Sequence, residues 1–176
     1  MLKESKTLVV IIVATLLLIG GLAIIFSGSS SGSDNTTKTT EENLGDVTGI
    51  ETNPEFYEMG DIDINGGIVN REYEIKNVTD KTLKLKKIAT SCMCTKAKVI
   101  VGDKETKLFG MEGHGDKNPP VNLEIASGET AKVLVEFDPA AHGPQGVGPF
   151  DRIIWLTFSD PAGVKELKFN GTVVSS

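Results

Sequence analysis

From residue 50 to residue 174 the sequence repeats one pattern: short runs of alternating apolar and polar residues, separated by Gly, Pro, Asn or Asp. Successive side chains of an extended strand point to opposite faces, so alternation marks a strand with one dry and one wet face. Residues 69–75 (VNREYEI) set Val69, Tyr73 and Ile75 on one side. Residues 82–88 (TLKLKKI) turn Leu83 and Leu85 inward against outward lysines, and Ala97, Val99 and Val101 alternate after them. Further runs lie at 56–62, 121–125, 131–137, 151–158 and 164–174, with turn residues such as Gly66-Gly67 and Ser127-Gly128-Glu129 between them. Within residues 151–158 (DRIIWLTF), Trp155 shares a face with Ile153 and Thr157, and that face is expected to be core.

About eight short strands with regular turns, and no helical stretch among them, predict an all-β fold. The expectation is an antiparallel β-sandwich of the immunoglobulin-like kind over residues 49–176 of the 176-residue chain.

What precedes the sandwich has a different composition. Residues 8–26 (LVVIIVATLLLIGGLAIIF) carry no charge over 19 positions. At about 1.5 Å per residue, a helix of that length spans the roughly 30 Å hydrocarbon core of a bilayer. Residues 1–26 are therefore read as an N-terminal membrane anchor formed by one transmembrane helix. The rival is a cleaved signal peptide cut near Ser27-Gly28-Ser29, but its apolar region is usually only about 7–15 residues. No cysteine follows the run, so a lipoprotein anchor is excluded. Lys3 and Lys6 precede it and the next basic residue is Lys38, which places the N-terminus in the cytoplasm and the rest outside. The chain reads as a single-pass protein of the cell membrane with an extracytoplasmic C-terminal domain.

Residues 27–48 are Ser-, Gly- and Thr-rich and have almost nothing to bury, so they read as a flexible linker. A coil of that length holds the domain on the order of 25 Å from the membrane. Asn35, Asn77 and Asn170 each open an Asn-x-Thr glycosylation sequon, and all three are read as unused. A net charge of −6 and a pI of about 5.0 argue against DNA, RNA or anionic lipid as a partner. Nothing in the sequence names a protein partner.

The chemistry-bearing residues are few. Cys92 and Cys94, the only cysteines, stand one residue apart in Ser91-Cys92-Met93-Cys94-Thr95, so in an extended segment both sulfurs share a face. The only histidines, His114 and His142, fall in two long Gly- and Pro-rich segments, residues 103–120 and 138–149. Such long connections in a compact domain are more often functional than accidental.

Three readings of the cysteines stand open. In the first, Cys92, Cys94, His114 and His142 bind one soft metal ion, with Cu(I) as the candidate cofactor; Met111 lies nearby in the sequence. Zinc is a variant, although C-x-C is tighter than the usual C-x₂₋₄-C. In the second, the two cysteines form a disulfide able to exchange redox equivalents. In the third they are inert core residues of a structural or protein-binding module. The bland account of the histidines is that Gly-His-Gly and His-Gly-Pro are solvated turns. Neither G-x-S-x-G, nor His-Glu-x-x-His, nor a paired-carboxylate motif occurs, so no catalytic residues and no enzyme activity are expected.

Several of these stretches occur together in a known order. Tyr57-x-Met59-Gly60-x-Ile62, Glu74-x-x-Asn77 and Leu83-x-Leu85-x-x-Ile88 lead into Ser-Cys-x-Cys-Thr; Ser127-Gly128-Glu129 and Val135-x-Phe137-Asp138 follow. The globular part resembles the bacterial family called domain of unknown function 1573, whose hallmark is Ser-Cys-Gly-Cys-Thr. The resemblance covers roughly residues 55–174. It implies an Ig-like sandwich related in shape to pilus-chaperone and cilia-associated domains, exported and often membrane-anchored, and it implies no reaction. This chain departs from the pattern in having Met93 for the usual glycine and in its enlarged histidine segments.

Overall fold

The computed structural model describes residues 44–113 and 117–175. The expected anchor, residues 27–43 of the expected linker and His114 lie outside the described residues. No helix among the described residues is long and apolar enough to cross a membrane.

Among the described residues, ten strands form two five-stranded sheets that enclose one core. In chain order they are β1 (Ile50–Asn53), β2 (Phe56–Asp63), β3 (Val69–Asn77), β4 (Leu83–Thr90), β5 (Thr95–Val101), β6 (Lys104–Glu105), β7 (Leu123–Ile125), β8 (Thr130–Phe137), β9 (Gly148–Asp160) and β10 (Ala162–Val174). One sheet runs β1-β3-β8-β5-β6 and the other β2-β10-β9-β4-β7. The all-β, two-sheet expectation holds. β1 and the two-residue β6 are additions, since both are too short to show an alternating pattern.

The expectation of a wholly antiparallel sandwich is corrected at one pair. β2 lies parallel to β10, with Phe56 opposite Lys168 and Val174 opposite Asp63. The chain leaves one sheet at Asn53 and joins the edge of the other at Phe56, so β2 meets the last strand running in the same direction.

Alternation predicts the buried faces of β3 and β5 as observed: Tyr73, Ile75, Ala97, Val99 and Val101 are all buried. In β4 the register shifts between Leu85 and Lys87, a bulge that adds one residue. The inward phase therefore passes from Leu83 and Leu85 to Ile88 without exposing any of the three.

Trp155 corrects the expected face of β9. Ile154, Leu156 and Phe158 point into the core, whereas Trp155 is half-buried on the outer face, its Nε1 donating to Glu166 Oε1 at 3.0 Å. Strand length leaves the phase open, and three large apolar side chains outweigh Ile153-x-Trp155-x-Thr157 in burying apolar surface. Asp46 and Val47, residues of the expected linker, also belong to the packed structure. Asp46 pairs with Val164, and Val47 is 5% exposed and bonded by its N–H to Val164 O.

Candidate metal centre

Two crossings between the sheets meet at one end of the sandwich, and the cysteines lie on the shorter of them. β4 ends at Thr90 in one sheet and β5 begins at Thr95 in the other, so residues 91–94 carry the chain across. The longer crossing, from β8 to β9, leaves from Phe137, the residue paired with Thr95. The Asp138 N–H donates to Cys94 O at 2.8 Å and joins the two crossings.

Each residue of Ser91-Cys92-Met93-Cys94-Thr95 except exposed Met93 has a bonded role. Ser91 N–H donates to Ile153 O, and the Ile153 N–H donates to Ser91 Oγ, both at 2.9 Å, which ties the segment to β9. Thr95 N–H donates to Cys92 O at 3.1 Å and closes the turn. The buried Thr90 hydroxyl reaches Cys92 O at 3.0 Å and Thr95 O at 2.9 Å. With so many backbone groups bonded inside the segment, the sulfurs are held in one place.

Those sulfurs are bonded to one another, with S–S 2.10 Å and Cα–Cα 5.2 Å. Cys92 is 7% exposed and Cys94 3%. A cationic or proton-carrying group faces each of them. The Nε2 of His142 lies 3.1 Å from Cys92 Sγ, and Nε of Arg152 donates to Cys94 Sγ at 3.2 Å. The Cys94 N–H also donates to Cys92 Sγ at 3.2 Å, and the Thr95 hydroxyl lies 3.6 Å from Cys94 Sγ.

His142 reaches the pair from an exposed position just before the 3-10 turn Gly143–Gly146. Arg152 stands between Phe150 and Ile154 in the inward-facing series of β9, with its guanidinium 5.6 Å from the Phe150 ring centre and an Nη1–H donated to Asp151 O. Partial burial pulls its pKa below the ordinary arginine value, and the neighbouring Asp151 opposes that shift. Arginine stays charged at neutral pH regardless.

The ligand atoms of Cys92, Cys94 and His142 all lie within 4.8 Å of one another. Once the S–S bond is reduced, this is a set of two soft sulfurs and one imidazole, donors that suit Cu(I) or zinc. Three of the four expected ligands are thus brought together, and the fourth, His114, lies outside the described residues. Arg152 was not foreseen. Its signal was its phase: residues 152, 154, 156 and 158 share a face, which puts an arginine on the core side of an apolar strand.

No curated protein matches the sequence. Among solved structures, a protein of unknown function from Porphyromonas gingivalis W83 is similar at a TM-score of 0.51 and 18% identity, covering 77% of this chain and 51% of that one. This chain therefore spans about half the length of that protein, and the likeness shows the fold alone. The ASH / PapD-like domain of human CEP192 aligns at a TM-score of 0.45 and 14% identity, over 84% of this chain and 99% of that one. WR4, an MSP family member from C. elegans, aligns at 0.40 and 13%, over 73% of this chain and all of that one (100%). The family model described as protein of unknown function (DUF1573) matches residues 50–113, a stretch that includes both cysteines but neither His142 nor Arg152. By that match, residues 50–113 of the chain are similar to the DUF1573 family.

Proposed function

We propose that this is a binding domain, not an enzyme, which holds one soft metal ion such as Cu(I) between Cys92, Cys94 and His142 when the cysteines are reduced. One observation carries the reading: two sulfurs on the braced β4–β5 crossing and an imidazole nitrogen from the β8–β9 crossing lie within 4.8 Å of one another. Thiolates and imidazole are the donors Cu(I) favours, and three of them suffice for it, whereas structural zinc takes four. As the sulfurs stand, bonded to each other, they have no thiolate to offer, so binding depends on a prior two-electron reduction.

The same reading takes the sandwich as immunoglobulin-like, held outside the cytoplasm by residues 8–26, with the membrane as its attachment and no nucleic-acid partner. The uncharged N-terminal run, the distribution of lysines around it and the acidic balance of the chain support this. Protease added to spheroplasts is expected to degrade the domain; full protection would overturn the orientation.

A second reading rests on the S–S bond itself: a structural or protein-binding module whose disulfide is inert. Thiol counting and metal titration separate the two. Purified full-length chain without reductant is expected to show no free thiol and no Cu(I) binding. After reduction it is expected to bind one Cu(I) per chain in competition with a chelator, and Cys92→Ser/Cys94→Ser to bind none. Equal, weak binding by the reduced wild type and the double variant would leave only the second reading, and His114→Ala run alongside decides whether His114 is a ligand.

A further inference from the structure

The structure assigns Arg152 as the residue that makes this centre select a monovalent over a divalent soft metal ion. The inference rests on the metal-binding reading above and adds to it the charge that the site tolerates.

Two thiolates and a neutral imidazole around a monovalent ion carry a net charge of −1; around Zn(II) the same set is neutral. The centre has a fixed positive charge against it, since the Arg152 Nε–H is directed at Cys94 Sγ from 3.2 Å. That guanidinium is not free to swing away. It lies over the Phe150 ring at 5.6 Å, donates an Nη1–H to Asp151 O at 2.8 Å, and starts from a strand residue in register with Phe169. Phe150 is itself stacked on Phe137, with ring centres 4.5 Å apart. The cation is thus pre-placed, beside a sulfur that is 3% exposed, where charge interactions are screened less than in water.

A fixed positive charge stabilises the anionic complex and does nothing comparable for the neutral one. Among the described residues, the cluster is Cys92, Cys94 and His142, with no carboxylate in it. The charge that balances the thiolates is therefore on the protein side, and the best-matched guest is an ion that leaves one negative charge over: Cu(I) or Ag(I).

The test is a pair of competition titrations on the full-length chain in detergent, reduced, with Cu(I) and with Zn(II), each against a chelator of known affinity. Arg152→Gln is expected to lower the ratio of Cu(I) to Zn(II) affinity by about tenfold or more, because one nearby charge is lost. Arg152→Lys, which keeps the charge and loses the directed N–H, is expected to stay within about threefold of wild type. An unchanged ratio in Arg152→Gln, or an equal fall in both variants, would overturn the assignment, as the effect would not follow charge. Should the Gln variant fail to fold, Arg152→Met is the neutral variant measured in its place, and an unchanged ratio in it overturns the assignment equally. Wild type binding neither ion would instead remove the metal-binding reading, and this assignment with it.

Discussion

The Nε of Arg152 lies 3.2 Å from Sγ of Cys94, although the two residues are 58 positions apart, one within strand β9 and the other on the β4–β5 crossing. His142 stands in the corresponding relation to Cys92, across 50 positions and at 3.1 Å. The two contacts differ in what holds them. Arg152 grows from a strand and is braced by an aromatic ring, while His142 is an exposed loop residue whose side chain reaches one sulfur.

From that difference, His142→Ala is expected to leave the urea midpoint and the disulfide unchanged while weakening Cu(I) binding by the reduced protein by about tenfold or more, the scale of one lost ligand. Denaturation curves and a chelator competition check both halves. A lower midpoint with unchanged Cu(I) affinity would show that the imidazole is structural.

Thr90→Val keeps the shape of the side chain but removes the hydroxyl whose single proton is shared between Cys92 O and Thr95 O. Both acceptors lie in a segment that is largely buried, so the expected loss of stability is about 1–3 kcal/mol. Reduced Cu(I) affinity should accompany it, because the turn that aligns the sulfurs loosens. Urea denaturation at fixed redox state measures the first effect.

Asn77 is 1% exposed and spends all of its amide. Its Nδ2 donates to Lys81 O and Ile125 O, and its Oδ1 accepts from the N–H and hydroxyl of Thr79. Asn77→Ala is expected to cost about 2–4 kcal/mol, as several buried groups lose their partner at once. For the same reason the sequon at this residue should stay unmodified in a glycosylating host, since the nitrogen that would carry the sugar is in use. Mass spectrometry of the peptide containing Asn77 tests that.

Tyr73 is buried, and its hydroxyl donates to Lys168 O at 2.7 Å. Burial, reinforced by neighbouring Tyr57, holds its pKa well above the ordinary phenol range. The folded state thus keeps its proton more tightly than the unfolded chain. This contribution to stability is complete below about pH 10 and declines as pH rises beyond it. Tyr73→Phe should cost about 1 kcal/mol at neutral pH through the lost hydrogen bond and should flatten the alkaline decline. Denaturation midpoints between pH 8 and 11 would show an unchanged slope if the residue had no part in it.

A Cβ added to Gly163 would meet the Val47 backbone, with Cα at 2.7 Å and N at 2.9 Å. Gly163→Ala is therefore expected to push residues 45–47 off β10 and cost about 1–3 kcal/mol. Faster hydrogen exchange at the Val47 and Val164 amides, which bond to Val164 O and Gly45 O, would locate the effect.

The sequence by itself determined the longer strands, their buried faces where the alternation is unbroken, and the convergence of Cys92 and Cys94. All of these are local: a side chain's face follows from its neighbours two positions away. Tyr73, Ile75, Val99 and Val101 are buried as that rule requires. The rule became ambiguous in β9, where both faces carry large apolar residues, and the wrong face was read for Trp155. The parallel pairing of β2 with β10 and the bulge in β4 depend on which strands become neighbours, which no local pattern records. The centre itself was legible in half. Its sulfurs lie one residue apart, but Arg152 and His142 reach them only because β4 to β5 and β8 to β9 cross between the sheets at the same end. Distances between such crossings are set by the packing of two sheets over a shared core, and only the tertiary structure decides them.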